Sequence, residues 1–227
     1  MTIAIDGPAG SGKSTVARAV ADRLGYLYID TGAMYRAVAY RALRDGVSIA
    51  DEERLTQLAE GMQMEFVQDA DGALRLIVDG EDVSAAIRTP VVSQLASPVS
   101  VLAGVRQRLV ALQRQMGADG RVVMEGRDIQ TVVFPEAEVK VFLTASDDQR
   151  ARRRYLELRQ RGEEITFEQV KREMQERDQR DSQRSLAPLA RAPDAVEIDT
   201  DRKSIDEVVE AVLQVVRQKA GAAGVGD

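Results

Sequence analysis

Residues 2–15 read TIAIDGPAGSGKST. A short apolar run, TIAID (2–6), enters a glycine-rich loop, GPAGSGKST (7–15). Gly7, Gly12, Lys13 and Ser14 fit the spacing G-x-x-x-x-G-K-[ST] of a phosphate-binding loop. The spacing has a physical reason. Glycines let successive backbone N–H groups converge on phosphate oxygens, and the positive end of the following helix adds to the attraction. Lys13 is placed to reach the β and γ phosphates, and the Ser14 hydroxyl to hold Mg²⁺. Pro8, Ala9, Gly10, Ser11 and Thr15 complete the loop expected to wrap the phosphates of ATP. A plain connecting turn would not need Lys-Ser at this place, between a strand and a helix.

Working outward, 13–24 has helical periodicity and stops at Gly25. YLYID (26–30) reads as a strand, followed by helices over 31–44 and 51–61. MEFVQ, DADG and LRLIVDG (64–80) form a hairpin signal, and Pro90 and Pro98 are expected to break up the stretch that follows. A helix over 101–116 leads to RVVME (121–125), and VKVFLTA (139–145) and AVEID (195–199) are further strands. SDDQ (146–149) and TFEQ (166–169) read as capping boxes opening two helices, and SIDE (204–207) caps the last one. Strands alternating with helices predict an α/β fold, a five-stranded parallel sheet flanked by helices. The hairpin region reads as a small β-containing insertion over 63–98 beside the core, and the end of the chain, 221–227, as a flexible tail.

The chain has 227 residues, net charge −6, and no Cys, His, Asn or Trp. Without Cys there is no disulfide or thiolate nucleophile, and without His no Ser–His–Asp hydrolase. A guanine-reading Asn-Lys-x-Asp stretch is impossible, so a GTP switch is a poor second, and a large motor would need more chain. What remains is a small-molecule kinase. No apolar run has the length of a membrane span, and no basic stretch precedes an apolar signal core, so the cytoplasm is expected. The negative net charge argues against non-specific binding to nucleic acid. The charge is uneven: from Arg150 to Arg184 ten Arg and one Lys face eight acidic residues. Such a run is commonly a solvated face, but Arg is also the better residue for bidentate phosphate contacts. If the acceptor is itself a phosphate, with a second pKa of about 6, it is mostly ionised at neutral pH and needs no general base. A hydroxyl acceptor would need a carboxylate base, and Asp30 could serve.

DTGAMYR (30–36), GRDIQTVVFP (126–135) and ERDQRDSQRSLAPL (176–189), with VRQRLVALQRQ (105–115) and RRRYLEL (152–158), closely resemble the bacterial cytidylate kinase family. The resemblance implies transfer of the γ-phosphate of ATP, with Mg²⁺, to CMP or dCMP by a monomer, with lids that close over both nucleotides. It also implies the full division: a core over 1–62, 99–149 and 185–220, the insertion over 63–98, and an Arg-rich lid with its following helix over 150–184. It assigns acceptor-phosphate contacts to Arg36, Arg127 and Arg184, and cytosine contacts to Ser97, Arg106 and Asp128. It assigns sugar contacts to Arg177 and Asp181 with Tyr35 nearby, and it adds Thr31 and Gly126 from the same motifs. Lys13, Arg153 and Arg154 are the candidate catalytic residues, the last two as arginine-finger groups. Cytosine presents an N4 amino donor that a carboxylate accepts, whereas uracil reverses part of the pattern, so Asp128 should disfavour UMP.

Spacing alone leaves plainer readings open. Arg177, Asp181 and Arg184 lie on one helical face, where such sets usually form exposed ion pairs. Ser97 before Pro98 reads most simply as a turn residue, and Arg106 as a solvated helix residue. Gln130 stands where the family usually has Gly. Were a left-handed backbone required there, Gln130 would be strained and the placement of Asp128 altered. A P-loop protein that binds nucleotide without turnover, or one acting on another monophosphate, remains an alternative.

Overall fold

The computed structural model describes residues 1–69 and 74–223. In chain order the first elements are β1 (Thr2–Asp6), α1 (Lys13–Leu24), β2 (Leu27–Asp30), α2 (Thr31–Arg44) and α3 (Glu52–Gly61). Next come β3 (Met64–Gln68), β4 (Leu74–Val78), β5 (Glu81–Asp82), α4 (Pro90–Val99) and α5 (Ala103–Met116). The last are β6 (Val122–Gly126), β7 (Val139–Thr144), α6 (Asp147–Gln160), α7 (Phe167–Gln183), β8 (Val196–Asp199) and α8 (Ile205–Ala223). They form two compact units, Met1–Tyr28 with the chain from Gly120 onward, and Ile29–Asp119.

A five-stranded sheet has the order β2-β6-β1-β7-β8; β1, β6, β7, β8 and the start of β2 belong to the first unit. β1 runs parallel to β6 on one side, with Asp6 opposite Gly126, and parallel to β7 on the other, with Asp6 opposite Phe142. Every residue of β1 and β6 is buried, as expected for central strands covered on both faces. Because the strands are parallel, the chain leaves β1, β6 and β7 in the same direction, and the loops that follow gather at one edge of the sheet. α6 and α7 pack together over a small apolar cluster of their own: Ala151, Leu158, Val170 and Met174, with the rings of Tyr155 and Phe167 meeting edge to face.

The second unit has its own core. Met34 and Val38 of α2, Leu55 and Ala59 of α3, Leu76 and Val78 of β4, Val92 of α4 and Leu109 of α5 are all buried in it. The antiparallel strands β3 and β4 realise the expected hairpin, and β5 adds a third strand. Most of the DADG turn lies outside the described residues, as does the chain after Ala223, to which α8 extends within the tail expected from 221.

Two local expectations are corrected. The prolines do not break the stretch after the hairpin; α4 begins at Pro90 and contains Pro98. Pro90 occupies the first helical position, where an N–H would have no intrahelical partner anyway, and Thr89 caps the end by accepting from Val92 N–H. Pro98 falls in the last turn, so it costs one hydrogen bond without a following helix to kink. Ser97 is therefore a buried helical residue rather than a turn residue. The second correction concerns SDDQ. Ser146 Oγ accepts from Gln149 N–H, but the reciprocal bond is replaced, since Ser146 N–H donates to Asp201 Oδ1. TFEQ and SIDE form both halves of the box.

Helices α3 and α5 approach closely at Gly104, where an added Cβ would lie 2.4 Å from the Thr56 side chain. Thr56 is β-branched and held by its hydroxyl on the Glu52 carbonyl, so it cannot simply rotate away. Gly104→Ala should therefore destabilise the protein by about 1–2 kcal/mol in chemical denaturation, the overpacking outweighing the helix-propensity gain of about 1 kcal/mol.

Candidate active site

The loop between β1 and α1 is held against β7 and α6. A Cβ on Gly7 would sit 2.2 Å from the Leu143 carbonyl oxygen, so only glycine lets the loop cross β7 this closely. Gly12 caps α1 in a left-handed conformation, and α1 presents its first N–H groups to the loop. Lys13 is buried, donates to the Pro8 carbonyl at 3.3 Å and lies 3.9 Å from Glu125 Oε2. Glu125, at the end of β6, also accepts from the Tyr28 hydroxyl. The sequence reading passed over Glu125; the signal was an acid near the end of an otherwise apolar strand beside the loop. Ser14 and Thr15 are exposed at the start of α1, and Pro8, Ala9 and Gly10 are half-buried.

Gly126, Arg127 and Asp128 follow β6, and the chain then forms a π turn over Ile129–Val133, closed by Phe134 N–H on the Ile129 carbonyl at 2.7 Å. Here the first unit joins two of the sequence motifs. Arg127 Nε donates to Asp181 Oδ2 at 2.9 Å, and Arg177 Nε lies 3.9 Å from the same oxygen. Arg184 bridges to Asp128 Oδ1 at 3.3 Å. Burial works against the charge on Asp181, but Arg127, Arg177 and Arg184 hold its carboxyl below the usual carboxylate range. Of the three residues read as one helical face, Asp181 on α7 and Arg184 at its C-cap have almost no exposed side-chain surface, whereas Arg177 is partly exposed.

The arginines of α6 differ from one another. Arg150 is buried, donates to the Ala9 carbonyl in the glycine-rich loop at 3.0 Å, and pairs with Asp147 and Asp178. Arg153 donates to the Thr200 hydroxyl at 2.9 Å and to the Gly10 carbonyl at 3.4 Å. Arg154 turns instead to Glu157 at 2.9 Å. Thr200, just after β8, also donates to the Ser11 carbonyl at 3.2 Å, and no sequence signal marked it.

Thr31, Tyr35, Arg36, Ser97 and Arg106 belong to the second unit. Asp30 caps α2 through Oδ1 on Ala33 N–H, and its Oδ2 accepts from Arg36 at 2.8 Å. With both oxygens engaged, Asp30 is poorly suited to act as a general base. Thr31 and Tyr35 are buried on α2. Arg106 is buried rather than solvated: its guanidinium lies 5.7 Å from the Tyr35 ring centroid and donates to the Ser100 carbonyl. Ser100 Oγ in turn donates to the Ser97 carbonyl, so Ser97 and Arg106 are linked through Ser100.

Asp6 ends β1 with both carboxylate oxygens occupied, by Ile129 N–H at 3.1 Å and Gln130 N–H at 2.9 Å. Burial pushes its carboxyl up to about 7, with the Asp128 charge adding to the rise and the two N–H groups opposing it. A carboxyl raised above its unfolded value contributes stability at low pH that is lost as pH rises through the folded value. The stability of the wild type relative to Asp6→Asn should therefore fall between pH 5 and pH 8, by at most about 1.4 kcal/mol per pH unit. Denaturation of both proteins across that range measures it.

Residues 3–218 match the model of the family described as cytidylate kinase. A cytidylate kinase of Solibacter usitatus is 54% identical over 221 residues, covering 96% of this chain and 93% of that protein. A cytidylate kinase of Desulfitobacterium hafniense is 48% identical over 219 residues, covering 96% and 94%. Among solved structures, a gluconokinase from Sinorhizobium meliloti has a TM-score of 0.52 at 16% identity, covering 100% of this chain and 97% of that one, a likeness of fold. Matched along nearly its whole length and about half identical to these relatives, the chain belongs to the cytidylate kinase family.

Proposed function

We propose that this enzyme transfers the γ-phosphate of ATP to CMP or dCMP, releasing ADP and CDP or dCDP. The observation that carries this reading is the family match across residues 3–218, which spans every motif of the site. A phosphate oxygen of CMP attacks the γ-phosphorus as its bond to the β–γ bridging oxygen breaks. The attacking oxygen is already ionised at neutral pH, so a chain without His needs no proton acceptor for this step. Positioning and charge neutralisation then account for catalysis.

The backbone N–H groups of Gly7–Thr15 cradle the ATP phosphates, and Lys13 follows the γ-phosphate as it moves. Lys13 already stands at the loop, near Glu125, which keeps it oriented until nucleotide arrives. The exposed Ser14 hydroxyl at the start of α1 fits a metal ligand. That hydroxyl would hold Mg²⁺, which when bound would supply neutralisation of the charge on the phosphate oxygens. Arg36, Arg127 and Arg184 take the CMP phosphate. Ser97, Arg106 and Asp128 read cytosine, and Arg177 and Asp181 hold the sugar near Tyr35. The pre-formed Arg127–Asp181 and Arg184–Asp128 pairs support these roles, since they hold guanidinium groups in place before an anion binds. Arg153 and Arg154 of the α6–α7 lid neutralise the transferring group when the lid closes. The enzyme works as a cytoplasmic monomer without a nucleic-acid partner; among the described residues no helix is long and apolar enough to cross a membrane.

A coupled ADP-release assay with CMP, dCMP, UMP, AMP, GMP, dTMP and shikimate tests the reading. Turnover should be strong with CMP and dCMP and weak with UMP. Asp128→Ala should lower the CMP-to-UMP preference by about tenfold or more. Lys13→Met should reduce kcat by about 10²–10³-fold. Turnover on another acceptor alone, or nucleotide binding without turnover, would defeat the assignment. Chelation with EDTA should abolish turnover and added Mg²⁺ restore it; full activity in EDTA would remove the metal from the scheme.

A further inference from the structure

Gln130 occupies the place where the resemblance expects glycine, two residues after Asp128. Its backbone is not left-handed, since the non-glycine residues with positive φ among those described are Asp79, Arg121 and Ala187. The anticipated strain is absent, and the side chain is fully packed, with 1% of its surface exposed. It bonds at both ends. Oε1 accepts from Ala192 N–H at 3.1 Å, and Nε2 donates to the Val141 carbonyl in β7 at 3.4 Å. Its backbone N–H is one of the two held by Asp6.

These contacts close a ring. Asp128 bonds Arg184, and Arg184 Nε donates to the carbonyl of Ala187, where a φ of +51° turns the chain. Leu189 N–H then returns to the Asp181 carbonyl at the end of α7. The segment continues to Ala192, whose N–H comes back to Gln130. Both members of the Asp128–Arg184 pair are thereby fixed through one side chain, Asp128 by two residues of backbone and Arg184 by the 184–192 segment. A glycine could offer neither the acceptor to Ala192 nor the donor to Val141.

We infer that Gln130 is a positioning residue for cytosine recognition, holding Asp128 and Arg184 in register with each other and with β7 and so setting the preference for CMP over UMP. The inference rests on the reading of Asp128 as a base contact. It separates this chain from a relative with glycine at the same place, where Asp128 and Arg184 would lack this link.

The test is Gln130→Met, which keeps the volume and removes both side-chain hydrogen bonds. KM for CMP should rise about tenfold and the CMP-to-UMP ratio of kcat/KM should fall by about the same factor, with KM for ATP changed by less than about twofold. In an Asp128→Ala background the same substitution should leave the ratio unchanged, a non-additivity that a general loss of stability would not produce. Gln130→Gly, the residue the resemblance expects there, also removes both bonds and places no charge against the Val141 carbonyl. It should lower the ratio as Gln130→Met does, and it carries the test if the Met variant does not fold. An unchanged ratio in Gln130→Met and Gln130→Gly, or an equal fall in the Asp128→Ala background, would overturn the inference. If Asp128→Ala itself leaves the ratio unchanged, the base-contact reading fails and this inference with it. If Asp128→Ala lowers the ratio and the Gln130 variants do not, the inference alone fails.

Discussion

Asp6 stands where β1 ends and the glycine-rich loop begins, and its two oxygens hold the backbone N–H groups of Ile129 and Gln130. This buried carboxylate joins two pieces of chain more than a hundred residues apart, the loop expected to hold ATP and the turn that carries Arg127 and Asp128. The parallel pairing of β1 with β6 already brings Asp6 opposite Gly126. The carboxylate then fixes the direction in which the chain leaves β6. An unpaired buried carboxylate would be costly, so the π turn that aims two successive N–H groups at Asp6 and the burial of Asp6 require each other. The neighbouring charge pairs depend on that turn, since Arg127 reaches Asp181 and Asp128 reaches Arg184 only if the backbone between β6 and Ile129 keeps its course.

The same arrangement is compatible with the proposed phosphotransferase site being assembled without histidine. The arginines around it are each braced by a carboxylate: Arg127 by Asp181, Arg184 by Asp128, Arg150 by Asp147 and Asp178. A buried guanidinium with a fixed partner gives up little rotamer freedom when an anion arrives, so the ordering entropy is met in folding rather than in binding. The second unit uses the same device, with Arg36 on Asp30 and Arg106 on Tyr35 and the Ser100 carbonyl.

Much of this was legible in the sequence because it depends on short-range rules. The glycine-rich loop, the stop at Gly25, the capping boxes at Thr166 and Ser204, and the five strands all follow from residue type and spacing. What was misread depends on partners distant in sequence. Pro90 and Pro98 read as breakers, since composition does not say that one opens a helix and the other falls in its last turn. Gln130 read as a source of strain, since nothing local reveals a carbonyl eleven residues on and an N–H sixty-two residues on that satisfy its side chain. Glu125 passed unremarked, because a lone acid in a strand acquires meaning only beside Lys13. On α7 the spacing of Arg177, Asp181 and Arg184 marked a face correctly, but the depth of its burial is a tertiary fact.

Helices α6 and α7 are joined by a small apolar cluster around Leu158, Val170 and Met174 and by the Arg150–Asp178 and Lys171–Asp148 ion pairs. An apolar patch so small supplies little of the free energy that orders a segment, and its contribution weakens further on cooling. Trimming the side chains where Tyr155 meets Phe167 would loosen α6 against α7 while leaving the buried strands of the sheet as they are, so the two helices can open as a unit of their own.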